Sequence, residues 1–186
     1  MEKLLQDQIV PKLLKTVDKE AAQKLKEERC RYCGRPLHCG NYPRKPRGHK
    51  DCDFRYSFNC SNPDCRKRHT PVSVRFLGRR VYSGVVVVLL SAMTCGLNER
   101  RVAKLRDELG VDKRTLQRWR EWWLDNFVAS AFWKAGRASF MPPLAELLLP
   151  LSMVDRFQAK QREGLVKLMQ FLAPLSIGDQ MGRQGM

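Results

Sequence analysis

The sequence predicts a mainly α-helical chain with one small β unit, and three observations carry that expectation. Stretches at both ends repeat apolar residues every three or four positions. Four cysteines in short-spaced pairs sit in a middle region, Cys30 to Leu77, rich in Gly, Pro, Asn and Asp. A turn, "LGVDKRT", then separates two further helical patterns between Asn98 and Phe127. With 186 residues the chain can hold one ordinary domain or two small ones. The expected order is an amphipathic helical segment (1–29), a cysteine-bearing β unit (30–80), a helix-turn-helix bundle (81–127), a helical C-terminal region (128–177) and a flexible tail (178–186).

From Glu2 to Arg29, Val10, Leu14, Val17, Ala21 and Leu25 fall on one helical face. Pro11 fits a first helical turn, so a short helix can precede a longer one. The stripe suits packing on the chain's own body; its nearly heptad spacing also suits a second copy. Within the middle region, "FRYSFNC" reads as a strand running into "CSNPDC", and "RHTPVSVRFL" as the strand that returns. Val81 to Met93 fits a buried strand by its β-branched content and a buried helix by its length; helix is the preferred reading. Beyond Pro142, Pro143 and Pro150, helical patterns run over Ser152 to Phe157 and Arg162 to Leu172.

The net charge of +16, from 35 Lys and Arg against 19 acidic residues, points to a polyanionic partner. A membrane is excluded as a medium to cross, because the apolar run "VVVVLL" at Val85 to Leu90 is too short to span it. The opening MEKLLQDQIVPKLLK lacks the basic region, apolar stretch and cleavage site of a secretory signal. A cytoplasmic, reducing setting is therefore expected, where seven cysteines are poor disulfide material.

Metal ligation is the leading use of those cysteines. Cys30 and Cys33, spaced C-x2-C, pair with Cys60 and Cys65, spaced C-x4-C, about thirty residues on. Zinc takes four soft ligands in a tetrahedron, and two short-spaced pairs on two turns supply them without a large scaffold. Gly34 and the Asn62-Pro63 turn let backbone N–H groups approach the sulfurs. With four protein ligands no position stays open for chemistry, so the zinc is expected to be structural. His38, Cys39, His49 and Cys52 lie between the pairs and read as loop residues, with replacement of a main ligand by His38 or Cys39 left open. Cys95, in an apolar stretch, reads as a small core residue.

"NERRVAKLRDELGVDKRTLQRWREWW" carries a helix-turn-helix pattern. Val102, Leu105 and Leu109 line one face of the first helix, Gly110 can take the positive φ of the turn, and Val111 fills the angle between the helices. Asp112 caps the second helix, whose Leu116 and Trp119 point back to the core. Lys113, Arg114, Thr115, Gln117 and Arg118 are left for base edges and phosphates of a duplex groove. Arg100, Arg101 and Lys104 on the first helix are candidates for phosphates. Arg44, Lys45 and Arg47 in "YPRKPRGHK", a partial match to minor-groove hook sequences, add a basic segment; a solvated loop is the alternative. The aromatic run Trp119, Trp122, Trp123, Phe127, Phe132 and Trp133 suits a core better than a stacking platform.

Cysteine pair, strand, second pair, "RKRHTPVSVRFLGRR", apolar helix and helix-turn-helix, in that order, resemble the N-terminal zinc-ribbon and helix-turn-helix region of bacterial insertion-sequence transposases and their small zinc-finger accessory proteins. The resemblance covers roughly Cys30 to Phe127. Arg106 departs from it, standing where many such motifs carry a small residue. The likeness implies zinc on Cys30, Cys33, Cys60 and Cys65, duplex DNA as partner, and a role in transposition or transcription regulation close to the nucleoid. A homodimer, or a separate transposase or recombinase subunit, would complete the assembly. A full transposase would continue into a ribonuclease-H-like domain with three metal-binding carboxylates. Here about sixty residues follow Phe127, patterned as helices, so no catalysis is expected and Asp155 and Glu163 read as surface acids. The rival expectations are an RNA or single-strand binder and a transposase or nuclease with an unrecognised active site.

Overall fold

A computed structural model describes residues 1–47, 53–77, 82–95, 103–104 and 107–177. Expectations resting on His49, Cys52, Arg100, Arg101, Val102, Leu105, Arg106 and the tail lie outside the described residues.

The N-terminal segment forms two helices, α1 (Glu2–Leu5) and α2 (Ile9–Glu27). Between them Asp7 accepts a hydrogen bond from the Ile9 N–H at 2.8 Å, and Pro11 falls in the first turn of α2, where a missing N–H costs nothing. α2 serves two cores. Val10 and Leu14 enter the main helical core, while Ala22 joins Cys30, Leu37, Phe58 and Cys60 in a smaller one. Between them on the same ridge lies Asp18, 1% exposed. The buried ridge is thus Val10, Leu14, Asp18 and Ala22, with Val17, Ala21 and Leu25 half-buried beside it. α2 packs on its own protein.

Asp18 is fully partnered. It accepts hydrogen bonds from the Val74 N–H at 2.7 Å, the Ser73 hydroxyl at 2.5 Å and the Arg75 Nε–H at 2.8 Å. Arg75 in turn pairs with Asp53 and donates to the Phe54 carbonyl at 3.0 Å. One buried guanidinium therefore fastens α2 to the β unit.

That unit holds two small antiparallel sheets. β1 (Leu37–Cys39), β4 (Phe58–Cys60) and β5 (Arg68–His69) form one in the order β1-β4-β5, with Leu37 facing Cys60 and Phe58 facing His69. β2 (Tyr42–Arg44) and β3 (Asp53–Arg55) form the other. Two sequence expectations are corrected here. "FRYSFNC" is two strands, interrupted where the Ser57 N–H bonds the Asn41 side chain at 3.0 Å and the Gly40 N–H bonds the Ser57 carbonyl at 2.8 Å. The returning strand stops at His69: Pro71 offers no N–H to a ladder, and Ser73, Val74 and Arg75 are committed to Asp18.

The preferred helix reading holds for α3 (Gly84–Thr94), which is buried from Gly84 through Met93 and so shows no period in its sequence. Around it lie α1, α4 (Lys113–Glu121) and α6 (Leu151–Arg156), with α5 (Ala131–Gly136) and α7 (Arg162–Leu172) completing the body. α7 leaves the preceding loop so closely that a Cβ on Gly164 would meet the Phe157 carbonyl oxygen at 2.2 Å. α4 widens into a π-helical turn, Trp122–Phe127, that gathers the aromatic run. Trp119, Trp123, Phe127 and Trp133 are buried, with Phe127 packed at 4.9 Å from Trp123 and 5.1 Å from Trp133 between ring centres; Trp122 and Phe132 are half-buried. The run is core. No helix among the described residues is long and apolar enough to cross a membrane.

Candidate metal centre and cationic helix

The four cysteines expected to act together do come together. The sulfurs of Cys30, Cys33, Cys60 and Cys65 all lie within 4.8 Å of one another, with Cys30 3.8 Å from Cys65 and Cys33 3.3 Å from Cys60. Thiolates about 2.3 Å from a tetrahedral ion stand about 3.8 Å apart, so the set fits one metal ion with four sulfur ligands.

Local backbone chemistry builds this geometry twice. The Cys30 N–H closes the first turn on the Arg35 carbonyl at 2.9 Å, and the Cys60 N–H closes the second on the Lys67 carbonyl at 3.0 Å. The second turn spans two more residues, as C-x4-C requires against C-x2-C. The residue after each second cysteine takes a left-handed conformation, Gly34 at φ +68° and Arg66 at φ +43°. That conformation turns backbone N–H groups toward sulfur. Asn62 orders the longer turn, its side chain accepting the Asp64 N–H at 3.0 Å and its own N–H reaching the Cys60 sulfur at 3.4 Å.

The sulfurs differ in proton affinity. The Arg35 N–H, followed by the neighbouring Cys60, draws Cys33 down to about 7. Burial pushes the Cys60 thiol up to about 12. Burial also opposes ionisation of Cys30, but the N–H groups of Tyr32 and Cys33 and the His69 ring outweigh it and lower its pKa. Cys65 is raised: the Lys67 N–H lowers it, and burial with the adjacent Cys33 and Cys30 prevails. Each sulfur must be deprotonated to bind a metal ion, so metal binding releases protons and tightens as pH rises.

His38 and Cys39 stay outside. Both are exposed on β1, opposite Asn59 and Phe58. His69 is the participant that sequence reasoning missed: 2% exposed on β5, it places Nε2 3.3 Å from the Cys30 sulfur. It lies outside the four-sulfur group, with its ring in hydrogen-bond contact with one of the four sulfurs. Its only sequence signal is its place in the strand behind the second cysteine pair. His69→Ala is expected to weaken Co2+ binding about tenfold in competition with a chromophoric chelator, with His69→Gln recovering most of the loss. Equal affinity for all three proteins would remove His69 from the site.

The helix-turn-helix expectation concerns residues partly outside the described set. Within it, Gly110 has φ +62°, Val111 is buried, and the Asp112 side chain caps α4 by accepting the Thr115 N–H at 2.7 Å. The Thr115 hydroxyl and N–H hold the Asp112 carboxyl below its ordinary pKa. Tyr82, packed edge-on against Trp119, donates its hydroxyl to the Gly110 carbonyl at 2.9 Å and pins the turn to the core. Lys113, Arg114, Gln117 and Arg118 are exposed on α4. Thr115, expected beside them, is instead buried: its hydroxyl donates to Asp112 at 2.7 Å and accepts from Arg118 at 2.9 Å. Lys104 is exposed and pairs with Glu108 at 3.9 Å. Arg44 is half-buried at the end of β2, its guanidinium 5.3 Å from the Phe76 ring centre, while Lys45 and Arg47 are exposed.

No protein-family model, curated protein or solved structure matches the chain. Among the described residues the four cysteines are the one group of three or more metal-ligand side chains; Asp155 pairs with Lys160 at 2.7 Å on the surface, and Glu163 is exposed. Cys95 is half-buried at the end of α3, in contact with the Arg120 guanidinium.

Proposed function

We propose that this chain is a zinc-stabilised duplex DNA-binding protein, an accessory factor or repressor that serves a transposable element and performs no catalysis itself. Four thiolates in two backbone-tightened turns are the donor set that zinc prefers, and a closed four-ligand site gives it a structural role. The turns and their strands make up a zinc-ribbon-like unit beside the helical body.

The single observation that carries the DNA reading is α4. Its N-terminal half exposes Lys113, Arg114, Gln117 and Arg118, while Asp112 fixes its start and Trp119 and Tyr82 fix its back to the core. A rigid helix with cations and an amide on its free face suits a major groove, where Arg reads guanine and Gln reads adenine. Lys104, Lys45, Arg47 and the charge of +16 supply salt-dependent attraction to phosphate. Arg100 and Arg101 keep their proposed part in that attraction. A second copy, or a separate transposase or recombinase subunit, would supply the two-fold arrangement or the chemistry.

Duplex binding by Arg114→Ala and Arg118→Ala tests the assignment. For base-reading residues each substitution is expected to cost about 1–3 kcal/mol on the preferred site and to relax choice at particular base pairs. Equal weakening on every duplex would reduce them to phosphate contacts, and unchanged binding would remove α4 from the interface.

A further inference from the structure

The metal-binding turns expose a group that a helix in a groove does not employ. Tyr32, between Cys30 and Cys33, is 60% exposed. Its ring is nonetheless held: it lies 5.7 Å from the His69 ring, which is itself 3.3 Å from the Cys30 sulfur. The Arg31 guanidinium sits 5.2 Å, and the Lys67 ammonium 5.9 Å, from the ring centre. Four more exposed cations lie on the two turns, Arg29 and Arg35 flanking the first and Arg66 and Arg68 the second, with Arg68 turned to the Tyr42 ring. None of these six cations forms an ion pair among the described residues, and the two turns hold one acid, Asp64.

A largely exposed aromatic ring, in contact with the His69 ring and with two cations over it, suits a base that stacks on the ring while Arg31 and Lys67 turn to its phosphates. Bases inside a duplex hide their faces, whereas an unpaired base presents one. We infer that Tyr32, with Arg31 and Lys67, forms a stacking site for an unpaired nucleotide of the nucleic acid that the chain binds. The assignment rests on the nucleic-acid reading above and adds a substrate feature to it: a single-stranded extension or an opened end.

The test uses the full chain loaded with zinc and two probes, a blunt duplex and the same duplex with a short single-stranded extension carrying 2-aminopurine. Wild type is expected to bind the extended probe about tenfold more tightly and to quench the 2-aminopurine. Tyr32→Ala should lose both effects while keeping its zinc and its affinity for the blunt duplex; Tyr32→Phe should keep the quenching. Equal affinity for the two probes, with no quenching in wild type, overturns the stacking site and leaves the DNA reading intact. Failure to bind either probe overturns the nucleic-acid reading itself.

Discussion

Replacing Cys60 by serine is expected to lower bound zinc from about one ion per chain to none and to unfold the cysteine-bearing unit. Its own apolar core is small: Ala22, Leu37 and Phe58 are the buried apolar residues that join Cys30 and Cys60 in it. A structural zinc site contributes on the order of 10 kcal/mol to folding, far more than so small a core. Hydrogen exchange would then show loss of protection at the Cys60 N–H, bonded to the Lys67 carbonyl at 3.0 Å, and along the β1–β4 ladder. α3 and α7, whose buried residues belong to the larger core, should stay protected. Unchanged zinc stoichiometry and thermal stability in Cys60→Ser would contradict the four-thiolate site.

The second large effect is expected far from the sulfurs. Asp18→Ala removes the acceptor of three hydrogen bonds and leaves Arg75, 6% exposed, with Asp53 as its remaining carboxylate partner. Breaking a buried ion pair from one side costs about 3–5 kcal/mol, which chemical denaturation would read directly. A loss within about 1 kcal/mol would mean that the network relaxes onto Asp53 and water. The same network has a pH signature. Burial raises the Asp53 pKa, but the hydrogen bond from Arg75 and the Phe54 N–H outweigh it, so the folded value lies below the unfolded one. Its contribution is present above the ordinary carboxylate range and lost as pH falls through the lowered folded value.

Asp18 also explains what the sequence concealed. A carboxylate in a helix reads as a surface residue, which displaced the expected stripe of α2 toward Val17 and Ala21. The true ridge passes through Asp18 because Arg75 and Ser73, more than fifty residues away, neutralise and bond it. No local pattern carries that information. The same contact ended the strand expected through "RHTPVSVRFL". By contrast, the cysteine turns, the Asp112 cap, the Gly110 turn and the break before α2 rest on chemistry within a few residues and were legible. Thr115 marks the boundary: its place on the helix could be read, but its hydroxyl is drawn into the cap by Asp112 and Arg118. His69 was hidden because its role depends on the β4–β5 pairing that sets it behind Cys30.

Duplex reading through α4 by a metal-held chain is tested by selection of bound duplexes from a random pool by zinc-loaded protein at near-physiological salt, followed by sequencing. Enrichment of a defined motif, absent when Arg114 and Arg118 are both replaced by alanine, is the expected result. Retention of no duplex, or of all duplexes without preference by wild type and variant alike, would contradict it.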